Sequence, residues 1–152
     1  MRTALIVGAG IGGLAAGVAL RRAGWRIQIF ERSPVHRAIG FALGLAPNAM
    51  AALRELGVDQ AVRAHAIAPL RAELRRPDGR VLKRVDLSRM SSREQQTMIV
   101  MRPVLHGALG DAVGRDHILF DREVAGFDVS NGRVIVRLRD GHSAGCDLLV
   151  RA

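Results

Sequence analysis

Residues 3–14 read Thr3-Ala4-Leu5-Ile6-Val7-Gly8-Ala9-Gly10-Ile11-Gly12-Gly13-Leu14, and Glu31 closes the next apolar stretch, Arg26-Ile27-Gln28-Ile29-Phe30. The run Thr3 to Val7 is short and apolar, the mark of a strand buried in a parallel sheet. A helical pattern follows, with Ile11, Leu14, Ala15, Val18 and Ala19 on one face, and it stops at Ala23-Gly24. The first 31 residues therefore form one strand–helix–strand unit, right-handed like almost all such crossovers. The glycine spacing in its first turn makes definite physical demands. Gly8 permits the tight turn, Gly10 lets backbone approach a pyrophosphate, and Gly13 lets helix and strand pack closely. Ile11 and Gly12 stand at the helix start, where unpaired N–H groups and the positive dipole end favour phosphate. Glu31, 23 residues after Gly8, stands where a carboxylate accepts hydrogen bonds from an adenosine ribose, and it would repel a 2′-phosphate. A glycine-rich turn in a ligand-free α/β protein is the bland alternative. The spacing alone leaves FAD and NAD undecided.

Beyond Ser33-Pro34 the segment Gly40-Phe41-Ala42-Leu43-Gly44-Leu45-Ala46 reads as a glycine-punctuated loop. A helix is expected from Pro47-Asn48 to Gly57, carrying Met50, Leu53 and Leu56, with a short helix over 59–65. Glu73 to Val85 alternates around Pro77-Asp78-Gly79, which predicts a hairpin. Residues 88–95 are polar and read as a loop at the surface or over a site. Thr97 to Met101 reads as a strand, and Arg102 opens a helix through Leu105, Leu109 and Val113. Strand-like runs at 117–120, 123–129 and 133–139 read as a β-meander, with turns at Asn131-Gly132 and Asp140-Gly141. Asp147 to Val150 is a last apolar strand. The fold class is α/β: a Rossmann-like parallel sheet with a GxGxxG dinucleotide-binding βαβ unit and a β-meander extension.

Composition narrows the function classes. The chain has 152 residues, 49% hydrophobic and 24% charged, about one domain's worth of a core-forming sequence. No apolar run approaches the ~20 residues of a membrane span, and residues 1–7 lead into glycines rather than a signal-peptide cleavage site. The single cysteine, Cys146, and five scattered histidines offer no disulfide and no metal cluster. A cytoplasmic, metal-free protein is expected. The formal charge is +9, and Lys83 is the one lysine among 23 basic residues. Those arginines are dispersed from Arg2 to Arg151, and aromatics make up only 3%. Neither a nucleic-acid groove nor a base-stacking surface is indicated. Met98 and Met101 read as core filler, Cys146 as a buried inert thiol, and His106 as a satisfied helix-surface histidine. No catalytic residue can be assigned from spacing.

Four stretches carry a family resemblance: the Gly8–Glu31 unit followed by Arg32; Arg37-Ala38-Ile39-Gly40 leading to Gly44-Leu45-Ala46-Pro47-Asn48-Ala49; Arg102-Pro103-Val104-Leu105-His106-Gly107-Ala108-Leu109; and Asp147-Leu148-Leu149-Val150-Arg151-Ala152. In order and spacing the chain resembles the FAD-dependent monooxygenases of the p-hydroxybenzoate hydroxylase type, the single-component aromatic hydroxylases. The resemblance implies FAD as cofactor, NAD(P)H as transient reductant and O2-dependent hydroxylation of a small, usually aromatic substrate. It implies that Gly8, Gly10 and Gly13, with the backbone of Ile11 and Gly12, hold the pyrophosphate. Glu31 would take the ribose and Arg32 would lie beside the adenine. Arg37 and Arg102 would lie near the pyrophosphate and ribityl chain, and the loop around Gly44 beside the flavin ring.

Arg151 stands where that family usually has glycine, and the family's following Asp-Gly pair and later motifs would lie beyond Ala152. The resemblance therefore makes 1–152 the N-terminal part of an FAD-binding domain, with about 70–100 beginning a substrate-facing layer. It also implies that this part alone is inactive and self-associates through the surface its remainder would cover. Two other readings are a non-catalytic nucleotide-binding module or half of a split enzyme, and an NAD-linked dehydrogenase domain.

Overall fold

A computed structural model describes residues 1–34, 40–88 and 96–152. The chain divides into two compact units, Met1–Ile39 with Leu105–Ala152, and Gly40–Val104. The polar loop expected at 88–95 lies, except for Ser88, outside the described residues.

The first unit is built on β1 (Thr3–Val7), α1 (Ile11–Arg22) and β2 (Arg26–Phe30). β1 and β2 pair in parallel, Ala4 opposite Ile27 and Val7 opposite Phe30, as the strand–helix–strand pattern requires. Ala4, Leu5 and Ile6 are fully or almost fully buried, which explains the unbroken apolar run. The buried face of α1 is Gly13, Leu14, Gly17 and Val18, whereas Ala19 is exposed. Apolar periodicity placed Ala19 inside. The actual seam contains glycines because α1 lies too close to its neighbours for larger side chains. A Cβ on Gly17 would stand 2.8 Å from Val113 Cγ2 and 3.1 Å from Ile29 Cδ1. The helix ends at Gly24, whose φ of +80° is the left-handed conformation that favours glycine.

The sheet is completed by β11 (Leu148–Arg151) beside β1 and β7 (Ile118–Leu119) beside β2, all parallel, in the order β11-β1-β2-β7. Asp147 fastens the incoming end of β11. Its carboxylate accepts from the Thr3 N–H at 2.8 Å, and its own N–H donates to the Thr3 carbonyl at 2.9 Å. β8 (Val124–Ser130), β9 (Arg133–Leu138) and β10 (Ser143–Cys146) form a separate antiparallel meander in the order β10-β9-β8. This corrects two details of the sequence reading. The 117–120 run joins the parallel sheet rather than the meander, and the meander's third strand is Ser143–Cys146, a Ser-Ala-Gly-Cys stretch of weak strand propensity. Asn131 and Gly132, with φ of +50° and +73°, make the β8–β9 turn. Leu5, Phe30, Val136, Leu138 and Cys146 form one core cluster joining sheet and meander. Cys146 is fully buried, and burial pushes its thiol pKa up, as an inert core cysteine requires.

In the second unit β3 (Ala42–Leu45) pairs antiparallel with β6 (Met98–Met101). Residues 40–46 are therefore not all loop: a four-residue strand forms where two glycines suggested none. Its partner supplies the ladder, which overrides local propensity. α2 (Pro47–Glu55) begins with proline in its first turn, α3 (Asp59–Arg63) follows, and Met50, Leu53 and Val62 are buried. β4 (Arg71–Arg75) and β5 (Val81–Asp86) form the expected hairpin. Glu73 is bridged by Arg75 and Arg84 on its face, which holds the Glu73 carboxyl below its usual range. Met98 is buried, but Met101 is half exposed and is not core. α4 (Arg102–Val113) starts in this unit, and its body belongs to the first.

Candidate nucleotide site

The chain enters the Gly8–Gly13 turn at the carboxyl end of β1, the central position from which β2 lies to one side and β11 to the other. Ligands of open α/β sheets bind at such a point. Gly8 has φ of +103°, donates its N–H to the Phe30 carbonyl at 2.8 Å, and lies so close to β11 that a Cβ would stand 2.8 Å from the Ala152 oxygen. A Cβ on Gly13 would collide with the Gly8 carbonyl. By contrast, a Cβ on Gly10 would meet nothing within 4 Å. The two glycines required by packing thus flank a half-buried one beside which there is open space. The first intrahelical bond of α1 runs from Leu14 N–H to the Gly10 carbonyl at 2.9 Å, so the N–H groups of Ile11, Gly12 and Gly13 have no intrahelical acceptor. Gly10, the N-cap, has no side chain to fill that role, and the first turn of α1 holds no acidic residue. No acidic side chain of that turn competes with an anion for the helix end.

Glu31 is held at the end of β2. Its Oε2 accepts from the Ala9 N–H and its Oε1 from the Ser33 N–H, both at 2.8 Å. Each oxygen keeps a further lone-pair position. The segment after β7 is drawn alongside: Glu31 N–H donates to the Leu119 carbonyl, Arg122 N–H to the Glu31 carbonyl and Asp121 N–H to that of Ser33, at 2.9, 2.9 and 3.1 Å. Asp121 takes a positive φ of +55° to make this turn. The start of β8 therefore becomes the second wall of a cavity of about 600 Å³, which Gly8, Gly10, Glu31, Arg32, Arg122 and Phe127 help to line. That volume lies in the range of small-molecule and cofactor sites.

Gly8, Gly10, Ile11, Gly12, Gly13, Glu31 and Arg32 thus come together in the first unit. Gly44 and Arg102 lie in the second unit. There a Cβ on Gly44 would make only ordinary contact with Thr97. The Arg102 side chain runs against Gly40, whose added Cβ would stand 2.7 Å from Arg102 Cβ and 3.0 Å from its Cδ. Arg37 lies outside the described residues. Sequence reasoning missed the Arg122–Phe127 wall, which no local motif marks, and the part played by His106. The His106 ring reaches the Ala9 carbonyl, Nε2 to O, at 2.6 Å. Among the described residues no cluster of three or more His, Cys, Asp or Glu side chains could hold a metal ion. No helix there is long and apolar enough to cross a membrane.

Comparison with known proteins adds the following. A family model described as an FAD binding domain matches residues 1–149. The aurachin C monooxygenase/isomerase of Stigmatella aurantiaca is 40% identical over 99% of this chain, and the match covers 39% of that protein. The 3-hydroxybenzoate 6-hydroxylase 1 of Aquipseudomonas alcaligenes is 31% identical over 97% of the chain and 39% of its own length. The crystal structure of Klebsiella pneumoniae HpxO complexed with FAD and uric acid superposes with a TM-score of 0.83 at 30% identity, covering 97% of this chain and 38% of that one. The chain spans about two fifths of the length of these relatives.

Proposed function

We propose, for a chain that belongs to the FAD-binding domain family, that the Gly8–Gly13 turn and its adjoining cavity hold the ADP half of FAD in a flavin monooxygenase. The family membership favours FAD over an NAD-linked dehydrogenase. The observation that carries the residue assignment is the open N-terminus of α1, facing a cavity that Glu31 and Arg32 also line. In this reading the backbone N–H groups of Gly10 to Gly13 bind the pyrophosphate. Glu31, already fixed by two backbone donors, offers its remaining lone pairs to the ribose hydroxyls. Arg32 and the Arg122–Phe127 wall flank the adenine. Arg102, and Arg37 with it, supply forked donors toward the phosphate and ribityl region, and the strand around Gly44 borders the flavin.

Held by these residues, FAD would supply the redox chemistry of an NAD(P)H- and O2-dependent hydroxylation of a small, aromatic substrate. The chain's own residues bind and orient it. The region of about 70–100 is assigned to the start of the substrate-facing layer, and the protein to the cytoplasm. Purification tests the reading: the protein should carry, or take up, one equivalent of flavin with its yellow absorption. With FAD, NAD(P)H and a panel of phenolic acids, this part alone should give at most uncoupled NAD(P)H oxidation and no hydroxylated product. A protein that takes up no flavin overturns the assignment.

A further inference from the structure

We infer that His106 is a positioning residue of the phosphate-binding turn, one that aims the Gly10 N–H by gripping the peptide bond between Ala9 and Gly10. A carbonyl oxygen can only accept, so the 2.6 Å contact between His106 Nε2 and the Ala9 oxygen requires Nε2 to carry the proton. The Ala9 carbonyl and the Gly10 N–H belong to one planar peptide. No described peptide bond is cis, so the two groups point in opposite directions. Fixing the carbonyl on α4 therefore turns the Gly10 N–H away from α4, and Gly10 lines the cavity.

The preceding peptide is fixed in the same manner. Ala9 N–H is held at 2.8 Å by Glu31 Oε2, and Ala9 itself is 5% exposed. Two consecutive peptide planes are thus pinned from outside the turn, one by β2 and one by α4. Glycine on both sides makes the pinning necessary. Gly8 and Gly10 carry no Cβ to restrict the backbone, so an unheld Ala9–Gly10 peptide can rotate its N–H out of line. A preset donor binds an anion without first losing that freedom.

The inference rests on the FAD assignment above for its ligand but not for its geometry, and its test separates the two. His106→Gln keeps an N–H donor at similar reach. His106→Met keeps similar bulk and has no donor. Two measurements are made on each full chain: amide hydrogen exchange at Ala9, without ligand, and the dissociation constant for FAD by flavin fluorescence. The expected result is that His106→Met speeds Ala9 exchange and weakens FAD binding, each about tenfold, while His106→Gln stays within about twofold of the parent in both. Thermal midpoints report any general loss of fold, which would move both variants and the exchange of β1 amides alike. Equal behaviour of the Met and Gln variants in Ala9 exchange overturns the inference. If the parent fails to bind FAD, the functional reading falls, and the exchange comparison still judges the His106 grip.

Discussion

Glu31 holds the turn together as well as facing the cavity, because its two oxygens already accept from Ala9 and Ser33. Glu31→Ala is expected to weaken FAD binding by roughly 1.5–3 kcal/mol, the range for hydrogen bonds to charged groups. Its ribose role is isolated by comparing ADP with 2′-deoxy-ADP: the parent should prefer ADP, and the variant should lose that preference. Equal preference in both proteins, read by calorimetry, leaves Glu31 with the turn alone. Arg102 makes a second test, since Arg102→Lys keeps the charge but loses the fork and should lower FAD affinity. Gly40→Ala should lower it by displacing the Arg102 stem, against which the new methyl would press. Unchanged affinity in both variants removes Arg102 from the site. Glu31 and the glycines were legible because their spacing follows from the backbone geometry of one turn. His106 was not, because its partner is a main-chain carbonyl 97 residues away, and such a bond leaves no mark on residue type at either end.

The β1-α1-β2 unit shows the same contrast at its seam. Its strands, its glycine turn and the Gly24 stop were readable from periodicity and turn chemistry. The buried glycine face of α1 was hidden, since a pattern of apolar residues cannot register a surface where close approach demands no side chain. Gly17→Val is accordingly expected to destabilise the first unit by about 1–3 kcal/mol through overpacking against Val113 and Ile29. The fall in urea midpoint measures it, and a wild-type midpoint would mean that α1 shifts freely on the sheet. The hairpin β4–β5 followed from Pro77-Asp78-Gly79 and alternation. β3 and β10 did not follow, for a common reason. They are short, carry glycine, and owe their state to a partner, β6 and β9. The 117–120 run was readable as a strand, but its pairing with β2 was not.

Across the molecule, two compact units account for the described residues, and the family relatives are more than twice as long as the chain. Phe127 and Val129 on β8 are 56% and 68% exposed, an apolar stripe on an edge strand of the meander. Such edges promote association. The 152-residue chain is expected to self-associate with rising concentration, and the double change Phe127→Ser, Val129→Ser to reduce the effect. Light scattering checks this, and a monomeric parent at high concentration contradicts it. The central claim, that the glycine turn and its cavity take the ADP half of FAD, is tested most directly by competition calorimetry. FAD should bind at one equivalent per chain, ADP should displace it, and riboflavin, which lacks the pyrophosphate and adenosine, should not. Displacement by riboflavin but not by ADP, or binding of NAD in place of FAD, would contradict the account.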